Sequence, residues 1–200
     1  MPGQMTLADG ARLRVRPIDP ADRGPLADAF ERLSDRSRHQ RFLAPKARLT
    51  TRELEYLTDV DHVTHEALVA IDETSGDIVA VGRYATGNGG GVVADMALVV
   101  ADPWQRRGIG HALAARLVER ARANGITRLT GTALADNHRV RSLLDRLGFR
   151  VRSVGAGVVE VELDVPPTAP PRRPRYRGTP RTVGSSSRER RSSLANTRVR

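Results

Sequence analysis

The sequence predicts a mixed α/β (α+β) fold, in which a central sheet of about seven strands carries helices on its faces. Three observations support this prediction. Strand-type and helix-type patterns alternate along residues 1–165. Short turns rich in glycine or serine join three consecutive strands, which favours antiparallel pairing. The order strand, tight loop, helix, strand then follows over residues 92–134, and this order is typical of a βαβ unit.

The first half of the predicted domain contains three strands and three helices. Leu13 and Val15 alternate with arginines, as in a half-buried strand. Each helix begins at a capping signal. These signals are Asp19 before Pro20, Ser34, and Thr50 in a capping box with Glu53. The predicted elements are strand 11–16, helices 20–33, 35–42 and 52–57, and strands 67–71 and 78–84.

Glycines separate the elements of the second half. The glycine cluster at 87–91 predicts a turn before an apolar strand. Gly125 and Gly148 each follow an amphipathic run, as C′ residues that end a helix. The last two strands pair as a hairpin. The predicted elements are strand 92–100, helix 108–124, strand 126–134, helix 137–147, and strands 149–153 and 158–165.

Length and composition limit the class of protein. Two hundred residues allow one ordinary domain and a tail. The absence of cysteine excludes disulfides, thiolate zinc sites and a cysteine nucleophile, and fits a reducing compartment. No apolar stretch approaches the ~20 residues that span a bilayer, and the N-terminus lacks an apolar signal segment. His62 and His65 do not form a zinc motif, because Glu66 follows the second histidine instead of the first. We therefore expect a cytoplasmic protein without a metal.

The positive charge is concentrated at the C-terminal end. The formal net charge is +10, of which residues 166–200, with ten arginines and the single acid Glu189, carry +9. Residues 1–165 hold 23 basic and 22 acidic side chains. The last segment is rich in proline, arginine and serine, so we predict a domain over 1–165 and a disordered tail over 166–200. A basic tail can bind nucleic acid, although a solvated appendage without a partner is the commoner case.

The segment WQRRGIG at residues 104–110 is the most informative motif. It lies between an apolar strand and an amphipathic helix. Gly108 and Gly110 leave backbone N–H groups uncovered where the helix begins, and the positive end of the helix dipole adds to them. Arg106 and Arg107 add full charges. The motif therefore predicts an anion site suited to a pyrophosphate.

Three phosphate-binding loops are candidates for this segment. A P-loop needs lysine and then serine or threonine after its last glycine, whereas His111 follows Gly110 here. A dinucleotide-binding loop needs a third glycine or alanine where this chain has Leu113. It also needs an acid about twenty residues further on, at the end of the next strand, but Thr130 stands at that distance and no acid ends the strand. The third loop, with the pattern Gln/Arg-x-x-Gly-x-Gly/Ala, precedes the long helix of GCN5-related N-acetyltransferases.

Residues 105–110 fill this third pattern, and a second signature follows at the expected distance. Asn137 begins a helix that ends in Gly148-Phe149, and the order of elements agrees over residues 12–165. The chain therefore resembles the GCN5-related N-acetyltransferase (GNAT) superfamily. The segment LSDRSRHQRF at 33–42 and residues 57–70 further resemble the bacterial Pat-type protein lysine acetyltransferases.

This resemblance implies transfer of an acetyl group from acetyl-CoA to a primary amine by direct attack. The strand before the loop would splay from its neighbour, so that the pantetheine arm lies against the backbone of residues 98–100 and the pyrophosphate meets the amides of 106–110. A backbone N–H near Leu98 would stabilise the oxyanion. The implied cofactor-binding residues are Leu98, Val99, Val100, Gln105, Arg106, Arg107, Gly108, Ile109, Gly110, His111 and Asn137.

The resemblance also implies a catalytic base. Pat-type relatives carry a glutamate on the strand before the loop, at the position of Asp95, so Asp95 is the candidate base and would act through a water molecule. Many family members place a tyrosine seven residues after the motif asparagine, as the acid that protonates the leaving thiolate. Leu144 stands at that position. The sequence therefore names no general acid.

The acceptor stays open at this point. The Pat-type resemblance favours a protein lysine, and a small-molecule amine is the alternative. A non-catalytic acyl-CoA-binding sensor is a further possibility, because Asp95 and Leu144 depart from the family pattern. A nucleic-acid-associated factor that acts through its arginine-rich tail is another. The sequence is compatible with a monomer or a homodimer.

Overall fold

The computed structural model describes residues 3–87 and 91–167, which form eight strands and five α-helices. The strands are β1 Gly3–Thr6, β2 Arg12–Pro17, β3 His65–Asp72, β4 Ile78–Thr86, β5 Val93–Val100, β6 Arg128–Leu134, β7 Arg150–Gly155 and β8 Val158–Asp164. The helices are α1 Arg23–Glu31, α2 Asp35–Phe42, α3 Thr51–Thr58, α4 Ile109–Ala123 and α5 His138–Arg146.

The strands form one mixed sheet in the order β1-β2-β3-β4-β5-β6-β8-β7. Neighbouring strands are antiparallel, except that β5 and β6 run parallel with α4 between them in sequence. This arrangement confirms the predicted α/β class and the antiparallel strands that lead into a βαβ unit.

The predicted helix starts are confirmed, with one change at the first helix. Ser34 caps α2, and Thr50 forms a capping box with Glu53 at α3. Asp19 also forms a capping box, but the helix that it starts is a 3-10 turn over Pro20–Asp22, and α1 begins only at Arg23. The single helix predicted over 20–33 is therefore two shorter elements.

The sheet has one strand more than the sequence indicated. β1 pairs with β2 and forms an edge of the sheet, but it shows no clear apolar alternation and was not predicted. At the other end of the chain, the predicted tail at 166–200 lies outside the described residues except for Pro166 and Pro167. Its disorder therefore stays a prediction.

The sheet buries apolar side chains on both faces. On one face, α4 packs against β3, β4 and β5 and contributes Leu113 and Leu117 to the core. Gly82 of β4 allows this close approach, because a Cβ atom there would lie 2.7 Å from Leu117 Cδ1. On the other face, a smaller cluster around Leu26 and Val69 packs under α1 and α3. These layers hold β4 and β5 in place at the centre of the sheet.

The sheet opens between β5 and β6. These strands pair only where residues 93–95 of β5 face residues 128–130 of β6. Beyond Asp95, β5 continues to pair with β4 as far as Val100, whereas β6 continues to pair with β8. The second half of β5 therefore has a strand on one side only, as the family resemblance implied.

The helices of the described ranges are all too short or too polar to cross a membrane.

Candidate functional site

A cavity of about 560 Å³ lies beside the open half of β5. Its volume is within the range of pockets that hold small ligands and cofactors. The end of β5, the loop 104–110, the start of α4, and helices α2 and α5 form its walls. The predicted cofactor-binding residues that line it are Leu98, Val99, Val100, Gln105, Arg106, Gly108, Gly110, His111 and Asn137.

The loop presents backbone N–H groups to this cavity. Arg106 and Gly108 both have left-handed backbone conformations, with φ values of 63° and 84°. Gly108 is the N-cap of α4, and the first N–H to bond back to it is that of Ala112, which donates to the Gly108 carbonyl at 3.1 Å. The N–H groups of residues 109–111 therefore have no partner within the helix. They form, with the helix dipole, a site for an anion.

Two residues of the predicted set do not line the cavity. Ile109, the first residue of α4, has its side chain buried in the core. Arg107 forms an ion pair with Asp9, and its guanidinium lies 4.3 Å from the centre of the Trp104 ring. Its side chain therefore does not add a charge to the anion site, contrary to the expectation from sequence, and only its backbone remains a candidate. Arg106 supplies the arginine charge at this point of the cavity.

Gln105 connects the loop to the helix on the far wall. Its amide nitrogen donates to the carbonyl of Val100 at 3.1 Å and to the hydroxyl of Ser37 in α2 at 3.2 Å. Asp102 accepts hydrogen bonds from the hydroxyls of Ser34 and Ser37, both at 2.8 Å. Burial alone would raise the pKa of Asp102, but these bonds and that from the Ser34 N–H lower it. Gln105 and Asp102 therefore fix α2 against the end of β5.

Asn137 is both an N-cap and a wall residue. Its side-chain oxygen accepts a hydrogen bond from the N–H of Val140 at 3.3 Å, and the residue is buried at the start of α5. The cap orients α5 so that Arg139 and Arg146 reach the cavity. These positive charges and that of Arg106 suit a ligand that carries phosphates.

The backbone of β5 is directed into the opening. The N–H of Ala101 donates to the carbonyl of Val79 on the β4 side at 2.8 Å. Because N–H directions alternate along a strand, those of Val100 and Leu98 point away from β4, toward the gap. This is where the resemblance placed the pantetheine arm and the oxyanion donor.

Asp95 stands where β5 and β6 separate. It is the last residue of β5 that pairs with β6, and the hydroxyl of Thr130 donates to its carboxylate at 3.4 Å. Although Asp95 is exposed, the neighbouring protein partly desolvates its carboxylate and raises its pKa, while the Thr130 hydrogen bond and the charge of Arg41 oppose that rise. Asp95 does not line the 560 Å³ cavity. Asp95 thus lies at the end of the opening that is away from the loop 104–110.

Several residues near Asp95 were not predicted from the sequence. Arg41 of α2 is half-buried and lines the main cavity and also a neighbouring apolar cavity of about 50 Å³. Arg83 of β4 is buried and donates to the carbonyl of Leu57 at 2.9 Å. It also approaches Nε2 of His65 at 3.1 Å, and because arginine only donates, that nitrogen accepts and the imidazole is neutral. Burial and the Arg83 charge lower the pKa of His65 to about 4.

The remaining wall residues come from α2, α5 and the loop. All of them lie within the three segments that carry the family resemblance, 33–42, 104–110 and 137–149, so the resemblance was the signal that could have identified them. They are Ser37, Gln40, Trp104, His138, Arg139, Val140, Ser142, Leu143 and Arg146. Leu144, at the position of the family's acid, is buried in the core, while Leu143 faces the cavity. Neither side chain can donate a proton. Across the described residues, no cluster of three or more side chains is suited to hold a metal.

The fold and the site define an acyl-transfer domain of the class that the motifs suggested. The family model for the acetyltransferase (GNAT) family matches residues 29–149. The chain therefore belongs to this family.

Its relatives are Pat-like. Acetyltransferase Pat of Mycolicibacterium smegmatis is 32% identical over 153 residues, which are 76% of this chain and 46% of that protein. Acetyltransferase PA5475 of Pseudomonas aeruginosa is 32% identical over 146 residues, 72% of this chain and 78% of that protein. The GNAT domain of Streptomyces (S. lividans) PAT has the same fold, with a TM-score of 0.75, 33% identity, and coverage of 82% of this chain and 96% of that domain. This chain thus spans less than half the length of the Mycolicibacterium relative.

Proposed function

We propose that this enzyme transfers the acetyl group of acetyl-CoA to a primary amine, with a protein lysine as the favoured acceptor. The observation that carries the proposal is the cavity that joins an anion site at the start of α4 to the exposed backbone of β5. An acyl-CoA has matching parts, a pyrophosphate at one end and an extended amide-containing arm, and the cavity residues fit both.

Acetyl-CoA would be held at two parts of the cavity. The N–H groups of residues 109–111 and the side chain of Arg106 would hold the pyrophosphate, as helix N-termini commonly do. The β5 backbone near Leu98 and Val100 would pair with the pantetheine amides, in place of the missing β6 contacts. Positioning the thioester against an amine makes the attack effectively unimolecular, which removes much of the barrier. The acetyl thioester supplies the activated carbonyl carbon.

Asp95 would provide the proton acceptor. The amine nitrogen attacks the carbonyl carbon, a C–N bond forms, the C–S bond breaks, and the proton of the ammonium passes to Asp95 through a water molecule. The N–H of Leu98 would donate to the oxygen on which charge develops. The CoA thiolate would leave and take its proton from water, since Leu144 offers none.

The Pat-like relatives favour a protein lysine over a small amine, and this preference is part of the proposal. Three other functions are alternatives to this proposal. A small-molecule amine acetyltransferase would use the same site. An acyl-CoA-binding sensor would bind the donor without turnover. A nucleic-acid-binding role would depend on residues 166–200.

The testing experiment uses acetyl-CoA labelled in the acetyl group. The full chain is incubated with cell lysate, and in parallel with a panel of polyamines and amino acids, while CoA release is measured. We expect label in lysates to enter protein lysines, and CoA release to depend on an added amine. Label found only in small amines would establish the alternative acceptor. Donor binding without any acetylated product would overturn the enzyme mechanism in favour of the sensor.

A further inference from the structure

Two arginines with no acidic partner among the described residues lie near the candidate base. Arg41 forms no ion pair or hydrogen bond with other side chains in the described ranges, although its guanidinium lies 4.9 Å from the Phe42 ring centre. Within the same ranges, Arg83 bonds only to neutral groups, the Leu57 carbonyl and His65. Both arginines line the small cavity of about 50 Å³, and the charge of Arg41, after the larger effect of burial, lowers the pKa of Arg83 to about 9. Arg83 is buried, and a buried positive charge is normally paired with an acid, so this arrangement is incomplete without an anion.

The anion that these arginines lack is not supplied by Asp95. The Asp95 carboxylate is near enough to act on Arg41 through its charge, but the two form no ion pair within 4 Å and Asp95 bonds to Thr130 instead. Arg41 lines the main cavity from α2, and Arg41 and Arg83 together line the small cavity beside it. Arg41 is therefore open to a ligand in the main cavity, with Arg83 behind it.

The geometry places Arg41 away from the anion site at the start of α4. Arg41 shares the small cavity with Arg83, and Arg83 pairs with Ala97, which is two residues from Asp95 and three from Val100 on β5. Ser37, one helical turn before Arg41, is the α2 residue that contacts Gln105 of the loop. Helix α2 thus runs from the phosphate end to the acetyl end of the site, and Arg41 lies at the acetyl end, where the acceptor enters.

We propose that the acceptor carries a carboxylate close to its reacting amine, and that Arg41 binds this carboxylate with the charge of Arg83 behind it. This inference rests on the proposed acetyl transfer and specifies its acceptor. Two sources have this chemistry, a glutamate or aspartate beside a lysine in a protein, and the carboxylate of a free amino acid. The two arginines also disfavour an ammonium ion nearby, and so favour the neutral amine that the attack requires.

The experiment compares pairs of acceptors that differ only in this charge. One pair is a capped tripeptide with lysine between two glutamates, and the same peptide with two glutamines. The other pair is β-alanine and β-alaninamide. Acceptor and acetyl-CoA kinetics are measured for the full chain and for Arg41→Gln and Arg41→Lys. Arg36→Gln is the matched control, because Arg36 is an exposed arginine of the same helix.

We expect the unchanged chain to prefer the carboxylate member of at least one pair by roughly 10- to 100-fold in kcat/KM, the range for a hydrogen bond between charged groups. Arg41→Gln should remove this preference by raising the acceptor KM, with the KM of acetyl-CoA unchanged. Arg41→Lys should keep part of it, and Arg36→Gln all of it. The pair that shows the preference identifies the source.

Other results would overturn the inference, and they separate it from the proposed function. Equal acetylation of both members of each pair by the unchanged chain would refute the carboxylate but leave acetyl transfer standing. A preference that survives Arg41→Gln would place the anion elsewhere. Absence of acetylation of all amines, in the panel and in the lysate, would overturn the proposed function and this inference with it.

Discussion

At the scale of single residues, the proposed reaction depends most directly on Asp95. Asn has nearly the same shape but accepts no proton, so Asp95→Asn should lower kcat by roughly 100-fold, the lower end of the usual contribution of a general base. The dissociation constant of acetyl-CoA should stay within about twofold, because Asp95 lies outside the lining of the main cavity. Amine-dependent CoA release gives kcat, and calorimetric titration gives the affinity for acetyl-CoA.

The matched variant for this prediction is Asp95→Glu, which restores the residue of the Pat-type pattern. It should retain most of the activity, since the longer side chain still carries a carboxylate. Partial desolvation raises the pKa of Asp95, so the acidic limb of the rate profile should lie above the pH expected for a fully solvated aspartate. A normal kcat for Asp95→Asn, or an equal loss for both variants, would remove Asp95 from the base role.

His65 gives a pH-dependent contribution to stability. Its pKa is lowered to about 4 by burial and by Arg83, against a value near 6.5 in the unfolded chain. The unfolded state therefore binds more protons between these values, so the free energy of unfolding should fall as the pH drops from about 6.5 to about 4. Because the ring is only partly buried, we expect His65 to account for on the order of 1 kcal/mol of this fall.

Urea unfolding at pH 7 and pH 5 tests this contribution. His65→Gln keeps a group that can accept from Arg83, but it does not titrate. The difference in free energy of unfolding between the two pH values should be smaller in this variant than in the unchanged chain. An identical pH dependence would show that other groups cause it.

At the scale of elements, the sequence predicted helices and strands best where a local chemical signal marks where they begin. The caps at Ser34 and Thr50 and the glycine that starts α4 act within a few residues, so they can be read without knowing the rest of the fold. β1 could not be found in this way. It has only four residues, and its pairing with β2 across a turn decides its conformation.

The residues of the site likewise divide into those that a local motif predicts and those that it does not. The loop 104–110 and Asn137 were found because contiguous motifs carry them, and Asn137 lines the cavity together with every loop residue except Arg107 and Ile109. Arg41 and Arg83 were missed because they line one cavity only once α2 packs against β5, the neighbour of β4, and no pattern within either element indicates it. The direction of Arg107 was also not predictable, since its partner Asp9 is distant in sequence.

The loop before α4 depends on the backbone of Gly108. A φ of 84° costs an alanine about 1 kcal/mol or more, although a Cβ atom there would contact nothing within 4 Å. Gly108→Ala should therefore lower the free energy of unfolding by about 1–2 kcal/mol and raise the KM of acetyl-CoA, because the N–H groups at the helix start shift. Chemical unfolding and steady-state kinetics measure the two effects.

Gly24→Ala is the control for this substitution. Gly24 lies in α1, where the added Cβ also meets nothing within 4 Å and the backbone is helical. The same change there should stabilise the fold by up to about 1 kcal/mol and leave the KM of acetyl-CoA unaltered. Effects of the same sign at both positions would contradict the role assigned to the left-handed conformation.

At the scale of the whole molecule, the donor site lies across an opening in the sheet. Strands β1 to β5 form one part, β6 to β8 form the other, and the two pair directly over only three residues of β5. A ligand that fills the cavity would contact β5 and the loop as well as α5, which lies between β6 and β7 in the chain. Binding should therefore stabilise the folded protein as one unit.

The stabilisation by acetyl-CoA should differ between variants of the two adjacent loop arginines, Arg106 and Arg107. At 100 times its dissociation constant, acetyl-CoA should stabilise the fold by about 2.7 kcal/mol, which for a chain of this size raises Tm by roughly 5–10 °C. Arg106 lines the cavity, so Arg106→Gln should reduce the shift at a fixed concentration of acetyl-CoA while leaving the ligand-free Tm nearly unchanged. Arg107 instead bonds to Asp9 and covers Trp104, so Arg107→Gln should lower the ligand-free Tm by a few degrees and preserve the shift. Thermal unfolding with and without acetyl-CoA measures both quantities for each variant. The opposite pattern, with the shift lost in Arg107→Gln and kept in Arg106→Gln, would mean that Arg107 leaves Asp9 to bind the donor.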